Sequence, residues 1–332
     1  VPKILVNKDS SLGDANLVSC GSIEDKMGIK ASPTAVLNFD KAKGYLIGEK
    51  NKGLEYMFTY MNTARIGIAI QGVCHSELAY QISLPYAKER LSMRSLSGTK
   101  NPDGVADPII VHPDVRKMLL TQKAFSEGGR AMVYYAGKII DELSQCDNEQ
   151  ARADIDENLG FFTPILTGLL TEIGCESANL GLQVYGGHGY IKESGLEQIV
   201  RDARISTLYE GTTGIQAMDL LARKILLNQG ESLQILAKIA GQFCIEQARN
   251  EDMQEFTGPL ESLMKEWGGV TMQIGKAASS NSDEINAACV DYLMYAGYII
   301  YAFLWAKAAF VAQTALSSSS ADEQFYTAKI QT

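Results

Sequence analysis

LEYMFTYMNTARIGIAIQGV, residues 54–73, decides the fold class. Leu54, Met57, Phe58, Met61, Ile66, Ile70 and Val73 recur at three- and four-residue spacings, the period of one helix face. The pattern sets in near Glu49 and predicts a helix to about Arg90. The loop SLSGTKNPDGVADPIIVHP (95–113) follows it. Pro113 suits the first turn of the next helix, where its missing N–H is unpaired anyway. That helix is expected to reach about Ser144. A third opens near Asp154 and reaches Tyr185, where Gly186 and Gly187 stop it. A shorter helix over 195–204, the loop ISTLYEGT (205–212) and a helix over 213–227 complete the pattern. Three long helices and two short ones suit a mainly α protein built on an up-and-down four-helix-type bundle.

The flanks read differently. Residues 1–48 hold short strand candidates, ILVN, NLVSC and AVLNFD, among Ser, Gly, Asp and Lys clusters. They are too few for a complete sheet domain. After Asn228-Gln229-Gly230, helices are expected over 231–249, 257–278 and 283–316, with SSSS (317–320) as a loop and another start near 321. The expected division is therefore an incomplete β domain (1–48), a helical domain (49–227) and an additional helical domain (228–332). YLMYAGYIIYAFLWAKAAFVAQTA (292–315) is the most apolar stretch. Lys307, Gln313 and its many tyrosines favour a buried bundle helix over a membrane span. The opening VPKILVNKDSS lacks the basic leader and apolar stretch of a signal peptide. Both ends read as cut through structure, so a piece of a longer protein is expected.

Of the 332 residues, 46% are hydrophobic and 21% charged, an ordinary globular balance. A net charge of −9 without a long Lys/Arg run argues against nucleic-acid binding, which needs a basic face to displace counterions from phosphates. Cys20, Cys74, Cys146, Cys175, Cys244 and Cys289 are scattered singles. With no CxxC pair and only three histidines, His75, His112 and His188, no metal site is expected. Dispersed cysteines suit a reduced, cytoplasmic protein.

Four segments carry possible chemistry. In RDARISTLYEGTTGIQA (201–217), Glu210 stands beside Gly211 in a loop that opens a helix. Gly211 permits a tight backbone turn. Thr212 can cap the helix, whose free N–H groups attract an anion. Glu210 is then either an active-site acid at a helix mouth or a solvated residue in a plain capped loop. In YGGHGY (185–190), the paired glycines admit a close backbone or flat ring, or merely end the helix. The segment is not a dinucleotide fingerprint, since no strand precedes it and the spacing differs. Arg65, inside the apolar face of MNTARIGIAIQG (61–72), needs partners. It pairs with an internal acid or supports a site. Arg90 and Arg94 close the first helix, where they hold an anion or satisfy terminal carbonyls.

In this order the segments resemble the acyl-CoA dehydrogenase family. IEDKMGIKASPTAVLNFD (23–40) is similar to the end of that family's middle β domain. NTARIGIA, YAKER, YGGHGYIKESGLEQIVRDARI and LYEGTTGIQ resemble successive motifs of its C-terminal helical domain. The tail resembles the extra helical domain of longer members. The resemblance implies FAD-dependent α,β-dehydrogenation of an acyl-CoA thioester to the trans-2-enoyl-CoA. Glu210 would remove the pro-R α-proton while flavin N5 accepts the β-hydride. It further implies that Asn62, Arg65, Tyr209 and Gly211 line the substrate. Arg90, Gly186, Gly187 and Thr212 would contact FAD, the two glycines that of a neighbouring subunit. Implied partners are an electron-transfer flavoprotein and a second copy, in a homodimer or homotetramer.

Asn62 stands where the family often has Asp. Gly214 stands where it often has Gln, and Ser92-Met93 where a Phe follows YAxER. The family's amino-terminal helical domain and most of its β domain have no counterpart among these residues. The competing reading is a non-catalytic helical module that oligomerises.

Overall fold

The computed structural model describes residues 1–318 and 322–332, without the side chains of Phe58, Thr59 and Asn62. The chain divides into two compact units, 1–62 and 63–332.

The first unit carries two antiparallel pairs, β1 (Ile4–Val6) with β2 (Leu12–Ala15), and β3 (Val18–Ile23) with β4 (Ala35–Phe39). Short strands make two ribbons and no layer. What ties the segment together is Asn16, buried at 7% exposure. Its Nδ2 donates to the carbonyls of Pro2 (2.8 Å) and Lys43 (2.9 Å), and its Oδ1 accepts from the Lys43 N–H (2.9 Å). One side chain thus ties the segment before β1 to the stretch that follows β4. β2 went unread in the sequence because LGDA lacks the β-branched and aromatic residues that mark strands.

The second unit is helical. Helix α1 (Gly53–Glu89) begins in the first unit and continues into the second. Helix α2 (Pro113–Gln145) has Pro113 in its first turn, as expected. Helix α3 (Glu149–Tyr185) starts five residues before the expected Asp154, because Asn148 caps it. The Asn148 Oδ1 accepts from the Ala151 N–H at 2.9 Å. A cap of this kind contributes about 1 kcal/mol and fixes the start more firmly than hydrophobic period does.

Helix α3 is the axis of the core. Phe161, Phe162, Ile165, Leu166, Leu169, Leu170 and Ile173 are at most 2% exposed. Apolar residues all around a helix need neighbours on every side. One neighbour is α1, which crosses α3 backbone to backbone. A Cβ on Gly72 would lie 1.9 Å from the Leu170 carbonyl oxygen, and one on Gly174 would lie 2.8 Å from the Gly72 Cα. Further on come α4 (Leu196–Arg204), α5 (Thr213–Met218), α6 (Glu231–Gln247), α7 (Gln254–Ala278), α8 (Asp283–Leu316) and α9 (Glu323–Gln331). Leu236, Ala240, Phe243, Trp267 and Tyr292 join α6, α7 and α8 to the α3 cluster in one continuous core. The helix expected over 213–227 changes character at Asp219. Residues Asp219–Leu226 form a π-helix, with Leu227 donating to the Ala222 carbonyl (2.9 Å) and Gly230 to that of Ile225 (2.8 Å). Hydrophobic period over so short a stretch does not separate the two helix types.

Among the described residues, α8 alone is long and apolar enough to cross a membrane by length and composition. Tyr292, Leu293, Ala296, Ile299, Ile300 and Phe303 on it are all at most 3% exposed, within the core. All six cysteines are free thiols. Among the described residues no group of His, Cys, Asp and Glu could hold a metal ion.

Candidate functional site

The YEGT loop sits between α4 and α5. Glu210 adopts φ +57°, the left-handed region, and Gly211 follows at +96°. A non-glycine residue there costs of order 1–3 kcal/mol and persists only when its surroundings over-determine it. The surroundings are visible. Gln216, on α5 and 1% exposed, donates from Nε2 to the carbonyls of Glu210 (3.1 Å) and Gly211 (3.4 Å). A Cβ at Gly211 would come within 2.8 Å of that Nε2, so both conformation and space demand glycine. Thr212 caps α5, its Oγ1 accepting from the Ile215 N–H at 3.4 Å. The neighbouring Thr213 hydroxyl donates to Glu172 on α3 at 2.5 Å. Glu210 is half-buried, and its carboxylate has no hydrogen bond or ion pair among the described residues.

Two contacts bring α1 to this loop. The Tyr209 hydroxyl donates to the Gln71 side-chain oxygen. Arg65, 8% exposed, lies with Nη1 3.7 Å from Asp219 Oδ2, while Arg223 Nε approaches the other Asp219 oxygen at 2.6 Å. At 3.7 Å the Arg65 contact is an ion pair without a hydrogen bond, and Arg65 Nε is buried without a partner among the described residues. Arg65 therefore pairs internally and keeps donor capacity. The Asn62 side chain lies outside the described residues. Sequence reading missed Gln71, Gln216 and Asp219. Each acts through a contact between helices or across a turn, which spacing along one helix does not encode.

Arg90, Gly186 and Gly187 meet elsewhere, in a cavity of about 340 Å³ also lined by Tyr86, Ser92, Tyr185 and His188. Tyr86 and Tyr185 stack at 3.8 Å between ring centroids, and the Tyr86 hydroxyl lies 2.9 Å from His188 Nδ1. Gly186 caps α3 at φ +58° and ψ −137°, a conformation reserved for glycine. A Cβ on either glycine would meet no atom within 4 Å, so their backbone faces open space. The Arg90 guanidinium has no hydrogen bond or ion pair among the described residues, although its backbone bonds Tyr86 and Ile109. A free guanidinium, stacked rings and bare glycine backbone suit an anionic, ring-bearing molecule. Arg65 and Arg90 stand about 37 Å apart along α1, at about 1.5 Å per residue. The two clusters are therefore separate.

Arg94 does not share this cavity. Its guanidinium is spent on the loop after α1, donating to the carbonyls of Asn101 (2.7 Å) and Gly104 (2.5 Å) and to Asp107 (3.2 Å). Asp107 is fully buried and also accepts backbone N–H groups from Ser95 (2.8 Å), Lys100 (2.9 Å) and Asn101 (2.7 Å). These bonds, that from Ser95 foremost, hold its carboxyl down to about 2. A depressed pKa stabilises the fold above the unfolded carboxyl's value near 4. That contribution falls away as pH drops from about 4 toward 2. Amide exchange at Ser95, Lys100 and Asn101 should therefore accelerate in that window beyond the intrinsic trend. Protection unchanged down to pH 2 would deny Asp107 this part.

The helical bundle, the left-handed glutamate and the glycine-lined cavity together define an α-helical domain with two separate candidate clusters. Residues 51–226 match the family model described as acyl-CoA dehydrogenase, C-terminal domain, and residues 235–332 the one described as acetyl-CoA dehydrogenase C-terminal like. The chain belongs to the acyl-CoA dehydrogenase family. It is 38% identical over its whole length to 3-methylmercaptopropionyl-CoA dehydrogenase of Ruegeria pomeroyi, of which it spans 56%. It is 30% identical over 99% of its length to a broad-specificity linear acyl-CoA dehydrogenase of Mycobacterium tuberculosis, again spanning 56% of that protein. The chain thus covers little more than half the length of these relatives. In fold it is similar to Caenorhabditis elegans ACDH-11, solved in complex with C11-CoA. The TM-score is 0.77 at 18% identity, over 99% of this chain and 55% of that one. A Bacillus anthracis acyl-CoA dehydrogenase complexed with FAD gives 0.68 at 21% identity, over 98% of this chain and 59% of that one.

Proposed function

We propose that this chain is the C-terminal helical part of an FAD-dependent enzyme that converts an acyl-CoA thioester to its trans-2-enoyl-CoA. The observation that carries the proposal is Glu210, an unpaired carboxylate in a strained backbone that its neighbours hold in place. Strain of this kind collects where chemistry needs a fixed direction. Glu210 takes the α-proton. Proton transfer from carbon demands that base and C–H stay aligned, and the two carbonyl anchors on Gln216 supply that alignment. The Glu210 backbone N–H would donate to the thioester oxygen as negative charge builds there. Tyr209 lines the acyl group, and Arg65 and Asn62 the thioester and CoA side. FAD, when bound, supplies the acceptor for the β-hydride at flavin N5. Thr212 would lie by its pyrophosphate. Arg90, Gly186 and Gly187 would hold the adenosine end of a second copy's cofactor.

The 37 Å or so along α1 between the clusters fits two cofactors shared across a pair of subunits, hence a homodimer or homotetramer. An electron-transfer flavoprotein is the proposed acceptor of the electrons, and the cytoplasm the proposed compartment. The domains are proposed as 1–48, 49–227 and 228–332. The full-length protein tests the reading: it should purify yellow, and rapid mixing with a panel of acyl-CoAs should bleach its flavin band. A flavin-free protein, or one that no acyl-CoA bleaches, removes it.

A further inference from the structure

Glu210 cannot hold its own conformation, and one buried side chain holds it. We infer that Gln216 is a positioning residue for the reaction, acting through the Glu210 backbone. The inference rests on Glu210 being the base.

Gln216 is 1% exposed, and its amide nitrogen serves two successive carbonyls, those of Glu210 (3.1 Å) and Gly211 (3.4 Å). Its Oε1 is buried and finds no partner among the described residues. An amide left half-unsatisfied in a core is a poor stabilising device, since an unpaired buried acceptor forfeits much of what the donor gains. What the amide does secure is orientation. Peptide units are planar and trans, so each C=O and the following N–H point in opposite directions. Turning the Glu210 and Gly211 carbonyls onto Gln216 aims the N–H groups of Gly211 and Thr212 away from it. The same anchors fix ψ at Glu210 and the turn at Gly211, and with them the peptide plane beside the Cα from which the Glu210 side chain leaves the loop. At φ +57° the unanchored residue would fall back toward the right-handed or extended region and swing the carboxylate with it. Tyr209, tied to Gln71 on α1, anchors the other side of Glu210. No such double anchor holds the side chain itself, which is left unpaired for its substrate.

Gln216→Met in the full-length protein keeps the side-chain length and removes the amide. The rate of flavin bleaching at saturating acyl-CoA should fall about 10- to 100-fold, the scale of an ångström-sized misplacement. Acyl-CoA affinity should stay within about twofold and the melting temperature within a few degrees, since the lost bonds set direction more than stability. Amide exchange over 208–212 should quicken, a readout that needs no turnover. In a Glu210→Gln background Gln216→Met should produce no further fall, because it acts through the missing base. Should the Met variant not fold, Gln216→Asn, too short to reach both carbonyls, carries the same expectations. An unchanged bleaching rate in Gln216→Met, with Glu210→Gln still inactive, overturns this inference alone. So does an equal fold-loss in both backgrounds, the mark of a merely structural residue. An undiminished rate in Glu210→Gln overturns the base assignment and this inference with it.

Discussion

Glu210→Gln in the full-length protein should still bind flavin and should lose bleaching by acyl-CoA by at least about a hundredfold. A positioned base contributes ~10²–10⁴-fold, and glutamine keeps the shape while removing the proton acceptor. The backbone should tolerate the change, because the anchors are the carbonyls of residues 210 and 211, which the substitution leaves in place. Glu210 makes no side-chain bond whose loss would unsettle the loop. Stability and flavin content are therefore the controls, and both should match the parent. If the variant bleaches as fast as the parent, another group takes the proton, and the strain at Glu210 needs a different reason. A collapse in flavin content would instead make the residue part of the cofactor's seat.

Much of this arrangement is legible before any fold is seen, and the remainder is hidden for a physical reason. The run from Leu54 to Val73 announces its helix through period alone, and Pro113 and Gly186 mark a start and a stop because each has a backbone property no other residue shares. The YEGT loop stands out because a glycine free to turn and a capping threonine follow the acid directly. Gln216 does not stand out: a glutamine four residues after a capping threonine is an ordinary helix residue until α5 is buried and the loop folds back over it. Asp219 is equally silent, since its partner Arg65 lies on another helix. Arg90 and Arg94 look alike in sequence. Only the fold separates them, because the loop that follows α1 closes around Arg94 and leaves Arg90 facing a cavity. Local signals specify elements, and contacts between elements assign the work of each side chain.

The crossing of α1 and α3 offers the sharpest test of the packing, because one helix contains both a critical glycine and a free one. Glycine is a poor helix residue, so alanine in its place is worth roughly 0.5–1 kcal/mol wherever there is room. At Gly67 a Cβ meets nothing within 4 Å, and Gly67→Ala should be neutral or stabilising by up to about 1 kcal/mol. At Gly72 the same atom would sit 1.9 Å from the Leu170 carbonyl oxygen and 2.4 Å from its carbon, both backbone atoms of a buried helix. No rotamer change relieves such a clash; the helices have to part by more than an ångström. Leu170, Leu169 and Ile173, all at most 1% exposed, would move with α3 and open gaps in the cluster they fill. Overpacking typically costs about 1–3 kcal/mol and at times more. With backbone on both sides the upper end is expected, and about 3 kcal/mol easily outweighs the propensity gain. In thermal melts of the full-length protein, Gly72→Ala should lower the transition by roughly 6–12 °C, if the domain melts like one of 150–250 residues. Gly67→Ala should not lower it. Equal melting of the two variants would mean that α1 and α3 do not touch at Gly72, and the bundle would need a different crossing.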